Sequence, residues 1–244
     1  MDQEEDFTDL KQQMTKNEAL PKWKKQLIIG GVIGLFVIIL IIIIIVAATS
    51  GDNDNDNDKD KPSPNPPETK GQFDCSYEIE DISRETPILS KEYKKTSNFD
   101  ILIDSKKVDY STEYKFNKTG THNIQFILYE DINMDCMFKD IKELISIDLF
   151  SDKNAKIKSM ISTFESCENL NHFANNGFNL DEIESINKLF YKTKIESLNL
   201  KYFNTKNIKD MSYMFAYSSL VQIDLNDLNT NHATNMSHMF YSCS

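Results

Sequence analysis

The chain has 244 residues, with 38 acidic against 27 basic side chains and a formal net charge of −11. A length of this order accommodates one or two domains. An acidic balance without a basic stripe excludes the electrostatic footprint of nucleic-acid binding, so no nucleic-acid partner is expected.

Residues 1–26 are polar, with Glu4, Glu5, Asp6 and Asp9 first and Lys22, Lys24 and Lys25 at the end, and read as a short cytosolic tail. From Leu27 to Ala48 no residue is charged. A helix of that length reaches roughly 33 Å, against a bilayer core of about 30 Å. The expectation over 27–48 is therefore a single transmembrane helix acting as a signal anchor, with a signal peptide cleaved near Val46-Ala47-Ala48 as the competing reading. The lysines before this segment and Asp52, Asp54, Asp56 and Asp58 after it place the N-terminus in the cytosol. That orientation predicts a single-pass type II protein of the plasma membrane with an extracellular C-terminal ectodomain. Gly30 and Gly34 form a G-x-x-x-G spacing, which is ordinary for a membrane helix.

Residues 49–72 form an acidic and Pro-rich stalk. Alternating Asp and Asn are strongly hydrated, and Pro62, Pro64, Pro66 and Pro67 stiffen the second half of the stalk. Asp52, Asp54 and Asp56 have the spacing of a calcium loop, but Asn57 stands where that loop needs Gly and Ser63 where it needs Glu. No metal and no cofactor are expected.

Residues 73–134 change to a period of two. Phe99, Ile101 and Ile103 share one face of a strand, as do Ile124, Phe126 and Leu128, with shorter candidates at 108–110 and 114–116. The expectation is a small antiparallel β domain, sandwich-like, that caps the adjoining repeats or binds a ligand itself.

Residues 135–244 are periodic on a longer scale. Phe138, Phe164, Phe190, Phe215 and Phe240 recur every 25 or 26 residues, the signature of stacked units that bury their apolar faces against one another. Seven residues before the later four stand Ile157, Ile183, Ile208 and Ala233, and four residues before them Met160, Ile186, Met211 and Met236. That spacing matches one face of a helix. After the phenylalanines, Leu144-x-x-Ile147-x-Leu149, Ile195-x-x-Leu198-x-Leu200 and Leu220-x-x-Ile223-x-Leu225 each end in alternation, as a short strand does. Each unit thus reads as strand, turn and helix.

Leu220-Val-Gln-Ile-Asp-Leu225, then Leu228-Asn229-Thr230, then Asn235-Met-Ser-His-Met-Phe240 and Cys243 resemble the BspA-type leucine-rich repeat of bacterial and protist surface proteins. The unit from Ile195 to Phe215 is a second good copy. Two earlier copies are degraded, with Asn175 at an inward strand position and Asp152 where later units carry Phe178, Phe203 and Leu228. The fold class expected is a single transmembrane helix plus an extracellular antiparallel β domain and an α/β leucine-rich-repeat solenoid of about four repeats. The chain stops at Ser244, where the next strand is due, so the array is expected to be C-terminally incomplete.

In such an array the outward strand residues form the binding face: Ser146 and Asp148, His172 and Ala174, Ser197 and Asn199, Gln222 and Asp224. The resemblance implies a cell-surface recognition or adhesion protein whose partners are extracellular proteins or glycans. The alternatives are a surface-coat protein that self-associates through homo-association, or a single-pass receptor signalling through residues 1–26. His122, His172, His232 and His238 show no metal-ligand spacing, and no nucleophile motif occurs, so no enzyme is expected.

The four cysteines all lie after the apolar segment, where disulfides are permitted. Cys167 and Cys243 lie three units apart, about 14 Å at about 4.7 Å per stacked strand, too far for a bridge. A Cys75 to Cys136 bridge is the preferred pairing, and free buried thiols are the alternative. Asn117 and Asn235 each begin an Asn-x-Ser/Thr acceptor sequence for glycosylation.

Overall fold

A computed structural model describes residues 67–243. In chain order these form strands β1 (Gly71–Ile79), β2 (Thr86–Pro87), β3 (Phe99–Ile103), β4 (Lys106–Val108), β5 (Glu113–Tyr114), β6 (Gly120–Leu128), β7 (Ile132–Asn133), β8 (Leu144–Phe150), β9 (Ile157–Ser159), β10 (His172–Asn176), β11 (Ser197–Leu198) and β12 (Gln222–Ile223). Strict alternation dictates β1: Phe73, Cys75, Tyr77 and Ile79 are buried, while Gln72, Asp74, Ser76 and Glu78 face outward. The same alternation buries Phe99, Ile101 and Ile103 of β3.

Six of these strands form one sheet in the order β10-β8-β1-β6-β3-β4. All its pairs are antiparallel except β8 with β10, which is parallel. The pair of β1 with β8 joins residues 71–79 to residues 144–150. The sandwich-like domain expected over 73–134 is therefore corrected to part of a sheet that the first two repeat strands extend. Gly71, assigned to the stalk, opens β1, and it must be glycine. A Cβ there would lie 2.6 Å from Phe178 Cζ and 2.9 Å from the Phe150 carbonyl oxygen.

The inner face of the sheet packs on a column of aromatic rings. Phe126 of β6 meets Phe138 edge-on with centroids 5.6 Å apart. Phe138, Phe164, Phe190, Phe215 and Phe240 then stack with centroids 5.7, 5.6, 5.8 and 5.6 Å apart and planes within 10° of parallel. The rings from Phe138 to Phe215 are fully buried.

The α/β solenoid is corrected as well, because no α-helix occurs among the described residues. The nearest approach is one 3-10 turn, Leu200–Tyr202. The segments that carry the phenylalanines are chains of tight turns, and the reason lies in the backbone. Two residues before and two after each phenylalanine the chain is left-handed: Cys136 and Asp140 (φ 55° and 62°), Ser162 and Ser166 (53° and 60°), Lys188 and Lys192 (55° and 56°), Tyr213 and Tyr217 (56° and 58°), His238 and Ser242 (59° and 53°). A left-handed residue every fourth position ends any right-handed helix.

The hydrogen bonds reflect that backbone. In the first coil Met137, Lys139 and Ile141 N–H donate three residues back, to Met134, Cys136 and Phe138. The intervening N–H groups of Cys136, Phe138 and Asp140 donate instead to the next coil, at Ile161 O (2.9 Å), Thr163 O (3.0 Å) and Glu165 O (2.8 Å). The next three coils repeat this pattern, through Tyr217 N–H to Tyr241 O at 2.8 Å. Side chains start several of the turns: Asn133, Asp210 and Asn235 Oδ1 accept from the N–H two residues on, at 2.7, 2.9 and 3.1 Å.

The helix expected over 27–48, with the tail of residues 1–26 before it, lies outside the described residues. Among the described residues no helix is long and apolar enough to cross a membrane. Over the described residues the expected α/β leucine-rich-repeat solenoid thus gives way to an all-β region of sheet and stacked turns.

Candidate functional site

The outer face of the six-stranded sheet carries half of the side chains that sequence reasoning singled out for a binding face. Register places them in rows that cross the strands. One row runs Ala174, Asp148, Asp74, Gln125, Leu102 and Lys107. Beside it on one side run His172, Ser146, Ser76 and Asn123. On the other side run Asn176, Phe150, Gln72, Ile127 and Asp100.

The central row is held by side-chain hydrogen bonds. Gln125 Nε2 donates to Asp74 Oδ1 at 2.8 Å and Gln72 Nε2 to Asp74 Oδ2 at 3.1 Å. Burial raises the Asp74 carboxyl above the usual carboxylate range; the two glutamines offset part of this, and the charge on Asp148 adds to it. Asp148 in turn accepts from His172 Nε2 at 3.1 Å, a hydrogen bond that raises the imidazole against the opposing effect of burial. At the far edge burial raises Asp100, but Lys107 at 2.7 Å and the Tyr129 hydroxyl at 2.7 Å outweigh it and hold this carboxyl low.

Of the eight residues expected to form the face, Ser146, Asp148, His172 and Ala174 come together here. The other four do not join them. Ser197 and Gln222 pair in a separate two-stranded parallel sheet of β11 and β12, with Asn199 and Asp224 just beyond it. At the break, a cleft of about 220 Å³ is lined by His172, Phe173, Ala174, Asn176, Asn199 and Phe203. Asp74, Gln72 and Gln125 escaped the sequence reading, although the alternation of residues 71–79 already opposes Gln72 and Asp74 to Phe73 and Cys75.

The remaining candidates lie elsewhere. Cys75 and Cys136 are free thiols, so the bridge expected between them is not formed. Cys75 is buried on β1 between Ile124 and Ile147, and burial pushes its thiol well up. Cys167 is buried in the core and Cys243 half-buried against it, their thiols donating to Phe138 O at 2.9 Å and Phe215 O at 3.1 Å. Thr193 and Ser218 hold the equivalent place in the intervening coils, donating to Phe190 O and Phe215 O. Asn117 is exposed just before β6. Asn235 is exposed too, but its Oδ1 accepts from the backbone N–H (3.1 Å) and the hydroxyl (2.8 Å) of Ser237, the serine of its own acceptor sequence.

No group of three or more His, Cys, Asp or Glu is placed to hold a metal ion among the described residues. The face offers amide donors, two adjacent carboxylates and an imidazole, spread over a broad surface suited to many modest contacts.

Residues 132–244 match the family model described as "Mycoplasma protein of unknown function, DUF285". The match begins at β7 and takes in the whole phenylalanine column, leaving β1 to β6 outside it. Comparison with curated proteins returned no match, and neither did comparison with solved structures.

Proposed function

We propose that this region is a recognition module without enzymatic activity, binding an extracellular protein or glycan through the outer face of the six-stranded sheet. The observation that supports this is the set of polar rows from β10 to β4, opposite a face committed to the core. Such a face gains affinity by summing contacts, and a charged intruder at its centre disrupts them. Placement at the cell surface and use in adhesion belong to the same proposal.

The experiment presents the full chain to cells, matrix proteins and glycans, and compares it with Ala174→Arg, a substitution at a half-buried outward position. Binding that falls about tenfold or more in the variant, at an unchanged melting temperature, supports the reading. Absence of binding to every partner class, or binding indifferent to the substitution, overturns it. Protease shaving of intact cells tests the placement through release of peptides from residues 67–243.

A further inference from the structure

A second surface lies on the turn side of the coils, away from the sheet. Tyr191, Tyr217 and Tyr241 form a ladder with ring centroids 5.5 and 5.4 Å apart, one ring per coil. Beside it Tyr213 and His238 stack at 4.8 Å with planes 4° apart, and His238 meets Tyr241 at 5.4 Å. Tyr217 is 46% and Tyr241 50% exposed. Lys188 and Lys192 each hold an ammonium 5.5 Å from the Tyr191 ring.

The backbone makes this composition unusual. Tyr213, Tyr217 and His238 occupy left-handed positions, at φ 56°, 58° and 59°. That conformation disfavours L-residues, and bulky ones most. The first two coils fill the same positions with Cys136, Asp140, Ser162 and Ser166, so the turn itself requires no ring there. Bulky groups retained in a strained conformation on an exposed ridge point to a role outside folding.

We propose that this ridge binds an extended, linear glycan lying along the stacking direction of the coils. Pyranose rings present C–H faces that pack on aromatic rings, and the three tyrosines, each pair edge to face at 76° and 79°, offer one such ring per coil. Tyrosine and histidine pair an apolar body with a polar edge, which suits a ligand with apolar faces and hydroxyl rims. Lys192 is exposed at the flank, in reach of a sugar carboxylate. The regular linear spacing favours a repeating polymer over a folded protein, whose docking patch has a compact apolar centre.

The test uses the full chain, with chitohexaose as a neutral probe and hyaluronan oligosaccharides as an acidic one, and reads affinity by calorimetry. Tyr213→Asn combined with Tyr217→Asn removes two rings while keeping residues that tolerate the left-handed backbone. The proposal expects one of the probes to bind, the double variant to weaken it by about tenfold or more at an unchanged or higher melting temperature, and Tyr217→Phe to retain it. Binding of neither probe, or equal binding by the double variant, overturns it. Probe binding weakened by the tyrosine double variant but not by Ala174→Arg belongs to the ridge, and probe binding that only Ala174→Arg weakens belongs to the sheet face and overturns the ridge proposal.

Discussion

Asp74 of β1 and Asp148 of β8 stand directly opposite each other on the outer face of the sheet, two carboxylates in register at the centre of an antiparallel pair. Like charges so placed destabilise a sheet. Burial and the charge on Asp148 both raise the Asp74 carboxyl. A carboxyl raised on folding weakens the fold as pH climbs from its unfolded value through its folded one. Asp74→Asn is therefore expected to stabilise the protein by about 0.5–1 kcal/mol at neutral pH. The gain should vanish below pH 3.8, the ordinary value for this group. Denaturant titrations at both pH values check it, and a neutral or destabilised variant at pH 7 contradicts the argument.

His172 gives the opposite partner relation. Its hydrogen bond to Asp148 raises the imidazole in the folded state. The stability it contributes is complete below pH 6.5, its ordinary value, and is lost as pH rises through the raised folded value. In His172→Gln the thermal stability should lose this component of its fall above pH 6.5. Melting curves of both proteins at a series of pH values give the comparison, and parallel curves would remove His172 from the account.

Ser166 lies two residues after Phe164 in a left-handed conformation, φ 60°. Glycine adopts that conformation without the steric cost, which is about 1 kcal/mol for an L-residue. Ser166→Gly is expected to raise stability by roughly 0.5–1 kcal/mol even though the unfolded chain gains freedom. A destabilised Ser166→Gly in denaturant titration would show that the turn is held by something other than its backbone preference.

Phe190 sits between Phe164 and Phe215, 5.6 and 5.8 Å from each, with Phe173 edge-on at 5.3 Å. Removing the ring leaves a cavity that its stacked neighbours cannot close. Phe190→Ala is expected to cost about 3–5 kcal/mol. Phe240 is 41% exposed, so Phe240→Ala should cost distinctly less. Equal losses in chemical denaturation would mean that the column is not the core of this region.

The sequence showed the rings but not the chain path between them. The recurrence of Phe138 to Phe240 was legible because each ring has the same neighbours one coil away. The apolar residues seven and four before each ring suggested a helix, yet such spacing marks the inward side of any chain that turns every three or four residues. Left-handed residues decide between the two, and here they are Lys188, Tyr213 or Ser162 in place of the glycine or asparagine that signals them. The pairing of β1 with β8 was equally hidden. It joins residues some seventy positions apart, and an alternating strand announces its buried face without naming its partner. Half of the expected binding face therefore came together at Ser146, Asp148, His172 and Ala174, and its extension through Asp74 and Gln125 did not emerge until the sheet was known.

In the turns that carry the phenylalanines the coil-to-coil hydrogen bonds run one way, whereas elsewhere Asn171, Lys194 and Ser219 N–H donate back to Ile145, Leu170 and Thr193 O. From Cys136 to Tyr217, the N–H of each buried phenylalanine and those two residues to either side of it donate to the carbonyl of the next coil along the chain. Every coil thus offers its successor the contacts that it received, and the spacing of the rings holds at 5.6 to 5.8 Å even where the interval shortens from 26 to 25 residues. A whole coil is consequently the natural quantum of change. Duplicating or deleting one alters the reach of the column as a telescoping rod does, with the joints before and after it left as they were.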